Sequence, residues 1–192
     1  MKYTKITQLA KGWSSYIWLV HGAGEKEFVL KEVREKSPRK DLANREGKML
    51  LRANEVGVGP KVQEVNYGGN FVVMEYVRGK KFLNWVMGEN FEKEVSAEQL
   101  YFFIKELYRQ LLKLDAIGLS HNQLQIGKNI LVEKKLSIDK KENYFPIIID
   151  FEKASLKEPG NTKNIGQIES MLFYNPNGAI AKKVREKLKL EL

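Results

Sequence analysis

Residues 121–152 read HNQLQIGKNILVEKKLSIDKKENYFPIIIDFE. A polar loop, His121-Asn122-Gln123, leads to Asn129 and then into a short apolar strand, Ile130-Leu131-Val132. A charged turn follows, and a second apolar run from Phe145 to Ile149 ends on Asp150. Two strands joined by a turn read as a hairpin. Asn129 starts one strand and Asp150 ends the other, so an antiparallel pairing sets them side by side. An amide oxygen and a carboxylate brought together are hard oxygen ligands suited to Mg2+. A plainer reading stands beside this one, because Asp after a strand is often a turn former or a helix N-cap, and Asn before a strand a turn residue. The three isoleucines near Asp150 favour the metal reading. Each such side chain contributes about 1.5–3 kcal/mol when buried, so the strand sits deep. A carboxylate at its mouth is then partly desolvated and needs a partner or a cation.

Composition narrows the alternatives. The chain has 192 residues, 43% of them apolar, which suffices for one domain or two lobes with a real core. No apolar run reaches the roughly 18 residues of a membrane helix, so no membrane association is expected. The stretch MKYTKITQLAKGW lacks the apolar segment of a secretory signal. With no cysteine, disulfides and thiolate metal sites are excluded, and two histidines do not make a histidine-rich zinc site. A cytoplasmic location follows as the default. The net charge of +9 suits phosphate-rich partners such as nucleotides, RNA or anionic lipid, although lysines mixed with many glutamates also serve simply to solubilise.

Outward from the hairpin, residues 3 to 33 read as a strand meander. Tyr16, Trp18 and Val20 alternate with Ile17 and Leu19, which predicts a strand covered on both faces. The turn Lys11-Gly12-Trp13-Ser14-Ser15 is either an ordinary hairpin turn or a loop whose N–H groups cover phosphates. Lys31 lies in the apolar strand Phe28-Val29-Leu30-Lys31. It is either an edge lysine in solvent or an inward ammonium that needs an anion. After a charged linker from Glu35 to Lys40, Lys40 to Glu55 reads as a helix. Leu42, Arg45, Glu46, Met49 and Leu50 fall near one face, so Glu46 is out of place unless paired, and Lys31 is the obvious partner. The helix stops at Gly57-Val58-Gly59-Pro60. Strands follow over Lys61–Val65 and Phe71–Val77, with Gly68-Gly69-Asn70 as their turn. Arg78-Gly79-Lys80 reads as a linker and divides the chain into lobes 1–77 and 78–192. Beyond it, Phe82 to Val86 begins a short helix.

Ser96 to Ile117 is the clearest long helix. Ser96 and Gln99 form a capping box, and Gly118 ends it. Leu100, Phe103, Ile104, Leu107, Leu111, Leu112 and Leu114 form its apolar face, and Tyr101-Phe102-Phe103 is read as core. Past Asp150, Pro159-Gly160-Asn161-Thr162 reads as a turn, Thr162 to Phe173 as a helix, and Ala179 to Leu190 as a basic amphipathic helix. No internal repeat is visible.

These residues form an ordered set that resembles the protein-kinase-like fold, in particular the small atypical archaeal kinases of the RIO and Bud32 type. Phe28-Val29-Leu30-Lys31 resembles the V-A-I-K strand, and Arg45-Glu46-x-x-Met49-Leu50 the helix that carries the paired glutamate. Met74-Glu75-Tyr76-Val77 is similar to the adenine hinge. Ile117 to His121, Asn129-Ile130-Leu131 and Ile148-Ile149-Asp150-Phe151 are similar to the catalytic loop and the D-F-G strand. The resemblance covers about residues 8 to 156. It implies an α+β, two-lobed fold: an antiparallel-sheet N-lobe with one helix, and a reduced, mostly helical C-lobe. It implies ATP and Mg2+ as cofactors, with Lys31 on the α- and β-phosphates and Glu46 orienting it. By the same resemblance Asp150 and Asn129 hold the metal, Val29, Met74 and the backbone from Glu75 to Val77 receive adenine, and Gly12, Ser14 and Ser15 form the phosphate loop.

The chain departs from this pattern at three places. Gln123 stands where the general-base Asp is expected, and an amide does not accept a proton near neutral pH. Glu152 replaces the glycine after Asp150-Phe151, as in some small-molecule phosphotransferases, and is either a further metal ligand, a substitute carboxylate or an exposed residue. The glycine loop is reduced to Gly12. Three functions follow as expectations. The first is a slow Ser/Thr protein kinase, because positioning and charge neutralisation carry most of phosphoryl transfer. The second is a nucleotide-gated pseudokinase. The third is an RNA- or ribosome-associated factor that uses Arg45, Lys48 and the basic run from Lys182 to Lys189, with a small-molecule kinase as a further alternative.

Overall fold

The computed structural model describes residues 2–37, 41–137 and 140–190. It divides into two compact units, Met1–Val77 with Asp150–Ala154 and Arg78–Ile149 with Ser155–Leu192. The segment Asp150–Ala154, which a single cut after Val77 leaves with the second lobe, packs with the first.

The first unit is a five-stranded antiparallel sheet in the order β1-β2-β3-β5-β4. Its strands are β1 (Thr4–Lys11), β2 (Ser15–His21), β3 (Glu27–Val33), β4 (Val62–Asn66) and β5 (Phe71–Glu75). Side chains alternate between faces along β3. Phe28 and Leu30 therefore join Val20 and Val73 in one core, with Tyr3, Trp18 and Phe71 packed against it, while Val29 and Lys31 point to the opposite face. The expectation that both faces of β2 are covered is corrected. Tyr16, Ile17, Trp18 and Leu19 are only half-buried, because the neighbouring edge strand β1 is itself almost wholly exposed. Register shifts in the β1–β2 pairing irregularise that edge, a common way of discouraging further strand pairing.

The helix of this unit opens at Leu42 with a π-helical turn, Ala43–Gly47, and continues as α1 (Lys48–Glu55). Lys40, where the sequence reading starts the helix, lies outside the described residues, as do Pro38 and Arg39 of the preceding linker. Leu42, Glu46 and Leu50 are buried, but Arg45 is exposed, contrary to its expected place near the apolar face. The wider π turn changes the angular spacing on which that face was drawn. Gly47 permits the close approach of this turn to the sheet, since a Cβ there would lie 2.6 Å from Val65 Cγ1.

The second unit contains α2 (Phe82–Val86), α3 (Phe91–Glu94), α4 (Ala97–Ala116), α5 (Asn164–Glu169) and α6 (Ala179–Leu188). A three-stranded sheet in the order β6-β8-β9 comprises β6 (Lys80–Lys81), β8 (Ile130–Leu136) and β9 (Glu142–Ile148), and β7 (Leu119–Ser120) pairs with β10 (Ser155–Leu156). Lys80 is thus strand rather than linker, paired with Val132. The capping box at Ser96 and Gln99 is present. Phe103 is fully buried, stacked on Phe82 with ring centroids 5.2 Å apart and tilted against Trp85 at 5.3 Å. Tyr101 and Leu112, expected in the core and on the apolar face, are exposed. On β9 only Tyr144, Pro146 and Ile148 are buried, an alternation rather than a strand buried on both faces. Pro146 is tolerated because β9 is an edge strand, where its missing N–H breaks no ladder. A π-helical turn, Ser170–Tyr174, continues α5, and Ile180 and Val184 anchor α6. No helix among the described residues is long and apolar enough to cross a membrane.

Two glycines at positive φ separate backbone strain from steric conflict. Gly118 has φ +68 and a Cβ there would lie 2.1 Å from the Lys157 carbonyl oxygen, whereas Gly160 has φ +86 and open space. Gly160→Ala is expected to cost about 1–2 kcal/mol, the ordinary left-handed penalty. Gly118→Ala should cost clearly more, because backbone must move. Urea denaturation of both variants measures the difference; equal costs would contradict the packing described for the α4 terminus.

Candidate functional site

Lys31 is buried on the central strand β3, between Ile17 of β2 and Val72 of β5. A buried ammonium needs compensating charge. It has two carboxylates in contact: Glu46 Oε2 at 2.5 Å and Asp150 Oδ1 at 2.8 Å, with Glu152 Oε2 at 3.8 Å. The π turn delivers Glu46, itself 1% exposed, and the short 3-10 turn after β9 delivers Asp150 and Glu152. Asp150 adopts a left-handed backbone, φ 65 and ψ 65, unusual for a residue with a Cβ and typical of functional turns. Its side chain is 38% exposed, against 1% for Glu46 and 10% for Glu152. Of the three carboxylates, which lie within 4.8 Å of one another, Asp150 is therefore the one open to an ion from solvent. Its oxygen donors suit Mg2+.

The electrostatics follow from crowding. Burial alone would lower the pKa of Lys31, but the charges of Glu46 and Asp150 and their hydrogen bonds raise it above the ordinary lysine value. Burial pushes Glu46 up to about 7; Lys31 opposes that rise, while Asp150 and Glu152 add to it.

The remaining candidates of the first unit are placed as follows. Val29 lies on the Lys31 face of β3, with Met74 directly opposite on β5. β5 ends at Glu75, whose N–H donates to the Lys61 carbonyl, and Val77 lies beyond the strand. In the β1–β2 turn, Gly12 N–H donates to the Ser15 carbonyl at 2.8 Å, and Ser14 and Ser15 are buried. The Ser14 hydroxyl donates to Glu152 Oε2 at 3.0 Å. Arg34, which the sequence reading did not single out, grips this turn. Its Nη1 donates to the Gly12 and Trp13 carbonyls at 2.9 and 3.2 Å, and its N–H to the Ser14 carbonyl. The only signal for it was an arginine directly after the lysine strand. Glu152, left open between a ligand, a substitute carboxylate and an exposed residue, is buried.

Gln123 and Asn129 belong to the second unit. Asn129 stands opposite Ile149, its carbonyl accepting from the Ile149 N–H, and its side-chain amide donates to the Gln123 carbonyl at 3.0 Å. His121 is fully buried, with Nε2 2.9 Å from the Ile149 carbonyl, and its N–H donates to Asn164 Oδ1 at 2.8 Å. Asn164, also fully buried, donates in turn to Asp115 and to the Leu119 carbonyl. The loop is thus braced by His121 and Asn164, and by the bond from Asn129 to the Gln123 carbonyl. No pattern in the sequence marked Asn164.

The fold is that of the protein kinases. The chain superimposes on the Rio2 kinase of Chaetomium thermophilum, solved as an ADP/Mg2+-phosphoaspartate complex, with a TM-score of 0.67 over 98% of this chain and 62% of that one, at 17% identity. The chain thus spans less than two thirds of the length of that solved kinase. No family model matches the sequence. An uncharacterized protein of Methanocaldococcus jannaschii, MJ1211, is 32% identical over 117 residues, which cover 61% of this chain and 84% of that one. The chain belongs to the family of this archaeal protein.

The burial of Glu46 makes a signed prediction. With its pKa raised from 4.5 to about 7, the folded state holds a proton that the unfolded state has released across that window. Stability attributable to Glu46 therefore falls as pH rises from 4.5 to 7. The difference between wild type and Glu46→Gln, followed by urea denaturation against pH, should show this slope. A difference of opposite sign would mean that Lys31, not burial, governs Glu46.

Proposed function

We propose that this protein is an ATP–Mg2+-dependent phosphotransferase, an atypical Ser/Thr protein kinase with an altered catalytic loop. The observation that carries the reading is the buried Lys31 held between Glu46 at 2.5 Å and Asp150 at 2.8 Å. Few structural needs call for an ammonium among carboxylates on an inner sheet face. Phosphate binding does, since the glutamate orients the ammonium and the aspartate accepts a cation. The kinase-like fold supports this reading, and so does the fact that its Rio2 neighbour was solved with ADP and Mg2+.

In this proposal Lys31 holds the α- and β-phosphates and Glu46 keeps its ammonium aimed at them. Asp150, the most open of the three carboxylates around Lys31, would offer an oxygen to Mg2+, which would supply charge neutralisation for the phosphoryl group. Val29, Met74 and the backbone from Glu75 to Val77 receive the adenine, and Gly12, Ser14 and Ser15 cover the phosphates. Gln123, at the base position, orients the acceptor hydroxyl without taking its proton. Loss of a general base costs about 10²–10⁴-fold, so transfer is slow. The acceptor is a hydroxyl of a protein partner. Exposed Arg45 and Lys48 and the basic face of α6 provide a surface for RNA or a ribosome, and a cytoplasmic, archaeal setting fits the M. jannaschii relative.

A second reading, a nucleotide-gated pseudokinase, is favoured by one specific observation. The Asn129 amide is hydrogen-bonded to the Gln123 carbonyl in a loop that carries no carboxylate between His121 and Asn129.

Thermal shift with ATP and Mg2+ tests nucleotide binding. At a hundred times Kd, ligand adds about 2.7 kcal/mol, or roughly 5–10 °C for a chain of this size. Lys31→Ala and Asp150→Ala should abolish the shift, and should also abolish transfer from γ-labelled ATP. Turnover that survives both substitutions would end the kinase reading. A wild-type shift without any product over hours would establish the pseudokinase instead.

A further inference from the structure

A buried hydrogen bond joins the β1–β2 turn to the segment after Asp150, from the Ser14 hydroxyl to Glu152 Oε2 at 3.0 Å. The partners lie 138 positions apart, and both are more than nine-tenths buried. The same Glu152 oxygen lies 3.8 Å from the Lys31 ammonium, beyond hydrogen-bond reach, while Glu46 and Asp150 are in contact with it. Glu152 is thus anchored by the serine more than by the lysine.

We propose that Ser14 and Glu152 form a latch, in which the Glu152 carboxylate holds the place on the turn that a ligand phosphate takes. The latch itself follows from the geometry; its competitor, a polyphosphate, rests on the nucleotide reading above. A hydroxyl has a single hydrogen to donate, so Ser14 serves a carboxylate or a phosphate, one at a time. Arg34 fixes the turn's backbone through the Gly12 and Trp13 carbonyls, and its own N–H holds the Ser14 carbonyl. Arg34 and the Ser14–Glu152 bond thus hold the turn from two sides, and exchange of acceptors begins with rotation of the Ser14 side chain, after which, of the two, only Arg34 restrains the turn. An anion entering also meets one ammonium already facing three carboxylates. Glu152 is in this sense a built-in competitor that sets how readily the phosphate loop accepts its ligand.

A closed latch favoured ten to one lowers apparent affinity for an anion about tenfold. Two measurements test this. The first needs no ligand: exchange of the Gly12 amide, whose N–H bonds the Ser15 carbonyl, is followed by NMR. It should rise about tenfold in Ser14→Ala and in Glu152→Ala if the latch holds the turn. The second is calorimetric binding of inorganic tripolyphosphate in EDTA, which removes any role of Glu152 as a metal ligand. Glu152→Gln keeps an acceptor for Ser14 but removes the charge, and it should tighten binding about tenfold. Unchanged Gly12 exchange in Ser14→Ala overturns the latch, and weaker tripolyphosphate binding in Glu152→Gln overturns the competition. If neither wild type nor variant binds tripolyphosphate or ATP, the nucleotide reading fails, and the exchange experiment still decides the latch.

Discussion

A single ammonium, removed from water on the inner face of a sheet, constrains the rest of the first unit. Burying such a charge costs several kcal/mol unless anions are brought to it with good geometry. Lys31 has that compensation from two directions. Glu46 comes from the helix that follows the lysine strand, and Asp150 returns from the far end of the β8–β9 hairpin to make contact at 2.8 Å. The fold's least regular features serve this meeting. A π turn carries Glu46, Gly47 lets that turn close on Val65, and Asp150 takes a left-handed backbone. Each departs from local preference, and together they bring carboxylates within reach of one nitrogen. Local strain of this kind persists where the surrounding structure over-determines it.

The crowding also sets the chemistry. Three carboxylates around one ammonium leave an excess of negative charge in a partly closed space. Glu46 responds to burial with a raised pKa. Asp150, the most exposed of the three, is the residue through which a cation from solvent can relieve the excess. Glu152 is restrained by Ser14 instead. The three acids therefore differ by environment: Glu46 is buried against Lys31, Asp150 is open to an ion, and Glu152 is tied to the turn.

Much of this was legible in the sequence because it depends on short-range periodicity. The apolar run Phe28-Val29-Leu30-Lys31 marked the strand but left its lysine either at a solvent edge or inward, and the structure buries it. Helical spacing put Glu46 with Leu42 and Leu50, and all three are buried. The capping box at Ser96 and the glycine at 118 fixed the bounds of α4. What escaped depends on tertiary contact. A π turn leaves no periodic mark, so Arg45 was placed near the buried face although it is exposed. Lys80 read as linker because a two-residue strand has no alternation to detect, and only its pairing with Val132 defines it. Leu112 and Tyr101 met the apolar pattern of α4 but found no neighbour to cover them. The hydrogen bond between Ser14 and Glu152, and the hold of Asn164 on His121, join residues far apart in the chain and carry no local signature.

The most direct test of the account is to ask which lysine the phosphates of a nucleotide meet. An ATP acyl phosphate places an electrophilic carbonyl at the end of the triphosphate; a nearby lysine that has given its proton to solvent attacks this carbon, forms an amide and releases ATP as the leaving group. Peptide mass spectrometry should then find the label on Lys31, with excess ATP and Mg2+ suppressing it. Label spread over the exposed lysines, or label on Lys31 that competing nucleotide leaves unchanged, would contradict the account.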